Sequence, residues 1–263
     1  MRAIILAAGQ GTRLRSLTNK IPKCLLKFSG KTLLETLIQT FRSCGINDIV
    51  IVKGYRGNCI NFPGIYYCKN EKFSETSMVE SLFCAEKKIE SPVIISYADI
   101  IFETDVLKKL IKSKDDICGV VDKNWKYYWK IRFNDPLSDA ESLVLDKNNY
   151  ILNIGKKDLK NIDEIDGQFI GLIKFENDGI KVLKDFYKKM KYESSVGYNP
   201  LNPSLTFEQS TLTNLLQGII NSGQKIKALL IKNGWLEFDT ISDYKIYNNM
   251  LKNNTIKKLI SLK

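Results

Sequence analysis

The sequence predicts an α/β fold built on a mainly parallel central sheet with helices on both faces. Two observations carry that prediction. Short apolar, β-branched runs alternate with amphipathic segments of helical period, and the first run ends in a basic loop that contains two glycines. At 263 residues the chain is long enough for a large core. It reads as a single domain, 1–263, with a portion at about 122–170 inserted into it.

The elements follow in order. Residues 3–8 form a buried strand ended by Gly9, and 32–42 form an amphipathic helix stopped by Gly45. Residues 49–53 ("IVIVK") are the next strand, 77–87 a helix, 93–97 ("VIISY") a strand, 105–113 a helix and 117–121 a further core strand. Then the texture changes. Residues 122–143 read as irregular, 144–154 as a hairpin turning at "DKNN", and 168–175 as another strand. A helix at 180–189, a loop, a helix at 207–222, a strand at 226–232 and a last helix from Ser242 complete the chain.

Composition removes several functions. The net charge is +11, with 40 Lys+Arg against 29 Asp+Glu, but the cations are mostly scattered lysines and form no stripe for nucleic acid. The six cysteines include no CxxC pair, so neither a zinc site nor a disulfide framework is indicated, and a reduced cytoplasm is the expected setting. No apolar run approaches the length of a membrane span, and no signal peptide is read at the start. With no histidine, catalysis must rest on carboxylates, lysine, arginine, backbone amides and bound metal.

The opening loop holds the chemistry. Gly9-Gln10-Gly11 is followed by Leu14 where a dinucleotide fingerprint needs glycine, and "SGKT" at 29–32 lacks the earlier glycine of a P-loop. What remains is "LAAGQGTRL…IPK" from Leu6 to Lys23, followed by "SYADIIF" with Asp99 and by "NGWLEFDT" with Glu237 and Asp239. These three ordered blocks resemble the sugar-phosphate-type nucleotidyltransferases. The pair Gly54-Tyr55, "NEKF" at 70–73, and Ser77 with Ser81 are most similar to the cytidylyltransferase branch, which includes the bacterial phosphocholine enzymes. The middle segment resembles a narrower, capsule-associated group whose acceptor is L-glutamine phosphate.

The resemblance implies a Rossmann-like, three-layer nucleotidyltransferase fold that moves CMP from CTP to a small phosphorylated or phosphonate metabolite with magnesium. It places Leu6, Ala8, Gly9, Gly11, Thr12, Arg13, Lys23, Gly54, Tyr55, Ser77 and Asp99 around the nucleotide, and Arg13, Lys23, Asp99 and Asp239 at the reacting phosphates. Chemistry agrees residue by residue. The glycines let backbone N–H groups approach a triphosphate, Arg13 offers a planar fork to the outer phosphates, and Lys23 meets charge at the α-phosphate. Asp99 lies at the carboxyl end of a parallel strand, and Asp99 with Asp239 supplies the one or two carboxylates that magnesium needs beside phosphates.

For the acceptor, "WKYYW" at 125–129 either cages an ammonium, Trp129 included, or packs the insertion on the sheet. Asp139 and Glu141 add opposite charge, Arg132 is a candidate for a carboxylate, Lys156 for a phosphate, and Tyr97, Trp235 and Glu237 for the walls. Phosphocholine and 2-aminoethylphosphonate stay open as acceptors. A sugar 1-phosphate, a non-catalytic nucleotide sensor and a nucleic-acid binder are more distant readings.

Overall fold

The computed structural model describes residues 1–90, 92–157 and 159–262. Its central sheet contains seven strands: β1 (Arg2–Ala7), β2 (Asp48–Lys53), β3 (Tyr66–Lys69), β4 (Val93–Tyr97), β5 (Ile117–Asp122), β6 (Gln168–Phe175) and β7 (Lys227–Ile231). Their order across the sheet is β7-β5-β6-β4-β1-β2-β3. β6 runs antiparallel to both neighbours, and the other pairings are parallel. The near-continuous apolar runs of β1, β2 and β4 fit strands covered on both faces.

Alternation along β1 shows both covers. Ala3, Ile5 and Ala7 join a core with α1 (Leu33–Ser43) and α3 (Thr104–Ile111), whereas Ile4 joins a second core with α2 (Met78–Phe83), α5 (Asp178–Ser195) and α6 (Leu212–Asn221). Each fully buried Leu, Ile or Phe in these layers contributes roughly 1.5–3 kcal/mol. Thr32 and Glu35 close a capping box at the start of α1, which fixes where that helix leaves the basic loop.

Three readings of the sequence are corrected. Residues 122–143 are not irregular, because Trp125–Arg132 forms α4, whose Trp125, Tyr128, Trp129 and Arg132 are buried at helical spacing. The helix read at 180–189 extends over Asp178–Ser195. The helix read at 207–222 is two pieces, a 3-10 turn at Phe207–Gln209 and then α6, which Thr211 caps afresh through Asn214. The hairpin at 144–154 is present as Leu143–Leu145 paired with Ile151–Ile154. A short ladder the sequence did not suggest joins Ile100–Phe102 to Trp235–Glu237 ahead of α7 (Ile241–Lys252), and it sets the site geometry.

Candidate active site

At the carboxyl end of β1 and β4 the chain opens a cleft of about 300 Å³. That edge is where open α/β sheets bind ligands. The loop after β1 winds into a 3-10 turn at Thr12–Leu17, and Gly11 at φ 69° makes the bend. A Cβ at Gly11 would come within 2.9 Å of Lys23 Cβ, so the stem of Lys23 lies directly on the glycine. Behind the loop, Tyr55 donates its N–H to Ala8 O at 3.0 Å and its hydroxyl to Asn19 O at 3.0 Å. Gly54 permits this approach, since a Cβ there would lie 2.6 Å from the Ala8 carbonyl.

Asp99 and Asp239 are 140 positions apart, and the short ladder unites them. Glu237 pairs with Ile100, and Phe238 N–H donates to Asp99 O at 2.9 Å. Both carboxylates then meet one cation: Lys23 Nζ lies 2.7 Å from Asp99 Oδ2 and 2.9 Å from Asp239 Oδ1. Arg13 reaches Asp239 Oδ2 at 2.5 Å and Asp139 Oδ1 at 3.4 Å, while its side chain stays 61% exposed.

The electrostatics follow from this crowding. Burial opposes charge on Lys23, but Asp99 and Asp239 outweigh it and raise its pKa, so it remains an ammonium. Burial would likewise raise the Asp239 carboxyl, yet Lys23 and then Arg13 hold it below the usual range. Glu237 goes the other way, pushed up to about 7 by burial against the opposing pull of Arg132. Burial also raises Asp139 and Glu141.

The structure gathers one set of sequence candidates and separates another. Leu6, Ala8, Gly9, Gly11, Thr12, Arg13, Lys23, Ser77, Ser81, Tyr97, Asp99 and Asp239 line the cleft. Gly54 and Tyr55 brace it from behind. Asp139 reaches it through Arg13, Glu141 lies 3.8 Å from the exposed Lys157 Nζ, and Lys156 is exposed. Trp129 and Trp235 are buried in an aromatic cluster with Tyr128, and Trp235 donates to Asp122 at 2.9 Å.

Arg132 is fully covered. Its guanidinium grips Asp243 at 3.0 and 3.2 Å and Glu237 at 2.7 Å. These three residues form a strut, not a ligand-facing wall. Sequence reasoning missed Asp243, whose Oδ2 accepts the N–H groups of Asp239 at 3.1 Å and Thr240 at 2.8 Å. The T-x-x-D spacing of Thr240 and Asp243, a capping box at the start of α7, was the available sign. Thr76, Met78, Cys24 and Ala98 also line the cleft without having been singled out.

A glycine-bent loop facing a lysine and two carboxylates can hold phosphate groups and a cation together. The family model for the MobA-like NTP transferase domain matches residues 3–148. The chain belongs to that family. It is 38% identical over 257 residues to the CTP:phosphoglutamine cytidylyltransferase of Campylobacter jejuni, covering 94% of this chain and 98% of the relative. To the choline-phosphate cytidylyltransferase of Streptococcus pneumoniae it is 29% identical over 157 residues, 58% of this chain and 68% of the relative. The solved structure of a CTP:phosphocholine cytidylyltransferase from Streptococcus pneumoniae superposes with a TM-score of 0.71 at 21% identity, over 95% of this chain and 98% of that one. That match shows the Rossmann-like fold of this NTP transferase, and the cleft lies where its signature loop begins.

Proposed function

We propose that this nucleotidyltransferase moves CMP from CTP to L-glutamine phosphate and releases pyrophosphate. The observation that carries the reading is the match along nearly the whole chain to the Campylobacter jejuni enzyme. A phosphate oxygen of the acceptor attacks the α-phosphorus of CTP, the bond from that phosphorus to the bridging α,β-oxygen breaks, and pyrophosphate leaves with the bonding electrons. The attacking oxygen is already ionised at neutral pH, so the absence of histidine from the chain leaves nothing lacking.

Each charged group then has a task. Lys23 holds the α-phosphate as charge gathers there, and Arg13 holds the β- and γ-phosphates that depart. Asp99 and Asp239 fit magnesium: both reach one cation, and Asp99 Oδ1 is buried without a partner among the described residues. No group of three or more His, Cys, Asp or Glu among those residues is placed to hold a metal ion, but two carboxylates suffice when phosphates complete the shell. The ion would supply neutralisation of the triphosphate charge. Asp139 and Glu141, from the insertion between β5 and β6, face the acceptor's ammonium in this reading.

No helix among the described residues is long and apolar enough to cross a membrane. We place the reaction in the cytoplasm, supplying an activated intermediate for surface polysaccharide. Pyrophosphate release measured over CTP, UTP, ATP and GTP against L-glutamine phosphate, phosphocholine and 2-aminoethylphosphonate tests the whole reading. The expected pair is CTP with L-glutamine phosphate. Faster turnover with phosphocholine would move the acceptor, and equal rates with purine nucleotides would remove the cytidylyl assignment.

A further inference from the structure

Two bonded groups of side chains line the cleft. One is the knot of Arg13, Lys23, Asp99 and Asp239; the other contains Thr76 and Ser81, beside the apolar surfaces of Leu6, Phe73 and Met78. Among the described residues no hydrogen bond or ion pair joins the two groups. The triphosphate belongs on the charged knot, so a flat base belongs among the apolar side chains, where hydroxyls are available to read its edge.

Behind that wall stands Asn70, 3% exposed and outside the cleft lining. Its Oδ1 accepts Lys72 N–H at 3.0 Å, which fixes the orientation of the amide, because a backbone donor requires the oxygen. Both Nδ2 hydrogens are then spent, on Thr76 Oγ1 at 2.8 Å and Ser81 Oγ at 2.9 Å. Thr76 passes its own proton to Lys72 O at 2.9 Å. Ser81 has no such outlet: its Oγ receives a hydrogen from Asn70 and finds no acceptor among the described residues. Being nearly buried on the cleft wall, its O–H is left for the ligand.

We propose that Asn70 sets the choice between pyrimidines by holding Ser81 Oγ as a hydrogen-bond donor to ring N3 of cytosine. The proposal deepens the CTP reading and rests on it. Cytosine N3 carries a lone pair and accepts. Uracil N3 carries a hydrogen, so either donor would meet donor, or Ser81 would turn its remaining lone pair to the base and leave its own O–H unpaired in a nearly buried place, the kind of mismatch that discriminates strongly. Asn70 touches no nucleotide atom and is a positioning residue.

Equilibrium binding of CTP and UTP in the presence of magnesium, measured by calorimetry, tests this without any acceptor. Asn70→Asp keeps an oxygen for Lys72 N–H but replaces both amide donors with an acceptor. The Ser81 hydroxyl then turns its proton to the carboxylate and presents a lone pair to the cleft, which suits the N3–H of uracil. The CTP-to-UTP affinity ratio should fall by about 10-fold or more in Asn70→Asp and move toward parity in Ser81→Ala, which removes the donor alone. An unchanged ratio in Ser81→Ala overturns the proposal whatever happens to absolute affinity, and it decides alone if Asn70→Asp does not fold. Wild-type protein that binds UTP as tightly as CTP would instead contradict the parent reading, before any substitution is made.

Discussion

Asp239 stands between two knots of cations and carboxylates that share chemistry and differ in burial. On its cleft side, Lys23 and Arg13 hold Asp99, Asp239 and Asp139 where a ligand can replace them. On its core side, Arg132 holds Asp243 and Glu237 with its own side chain 0% exposed. The open knot can exchange a carboxylate for a phosphate. The sealed one cannot, because a guanidinium removed from water is stable only while its partners stay in place. Access decides which ion pair is a site and which is a strut, and Asp243 links them by fixing the Asp239 backbone.

The largest expected effect lies in the open knot. Asp99→Asn and Asp239→Asn should each cut turnover on the order of 10³-fold, and the double variant should lose little more, because in the proposed reading the two serve one ion and act as a unit. Steady-state kinetics of the two singles and the double checks this, and losses that multiply would show that the two carboxylates do not share a metal.

Arg132→Ala should act mainly on stability. Leaving Asp243 and Glu237 without their cation costs about 3–5 kcal/mol, to be read from urea denaturation. A loss no larger than that of an ordinary surface substitution would make the sealed knot decorative.

Smaller effects separate the parts of the loop. Gly11→Ala forces a side chain to φ 69° and against Lys23, so it should cost about 1–2 kcal/mol and also lower turnover. Arg13→Ala should raise the KM for CTP and lower kcat, while stability changes by no more than about 0.5 kcal/mol, since the side chain is mostly solvated. A melting temperature and a Michaelis plot for each variant are enough to tell them apart.

The two knots also differ in how legible they were. The loop half of the open one could be read because its constraints are local: glycines at the end of an apolar run, an arginine two residues on, and a lysine after proline; Asp239, which joins it through the Ile100–Phe102 ladder, could be placed there only by the family resemblance. The strand-end position of Asp99 followed from the alternation of elements. The sealed knot depends on α4, whose eight residues read as irregular in the sequence because two tryptophans and two tyrosines fit an ammonium cage as well as a packed face. The i, i+3, i+4, i+7 spacing of Trp125, Tyr128, Trp129 and Arg132 was present and places Arg132 inward. No pattern in the sequence places Asp243 under it, because that contact spans 111 positions and depends on the Ile100–Phe102 ladder.

Lys23 is the residue on which the open knot turns, and Lys23→Ala tests the account most directly. In the proposed reaction Lys23 meets the α-phosphate, which gains charge on the way to the transition state, whereas the outer phosphates are charged throughout, so only the Lys23 contact raises kcat by strengthening. The variant should fold with a smaller loss of stability than Arg132→Ala and bind CTP with a modest change in affinity. Its kcat should fall roughly 10²- to 10³-fold, the scale of losing one preorganised donor. A near-normal kcat with only the KM for CTP raised would contradict the account and make Lys23 one more part of the triphosphate cradle.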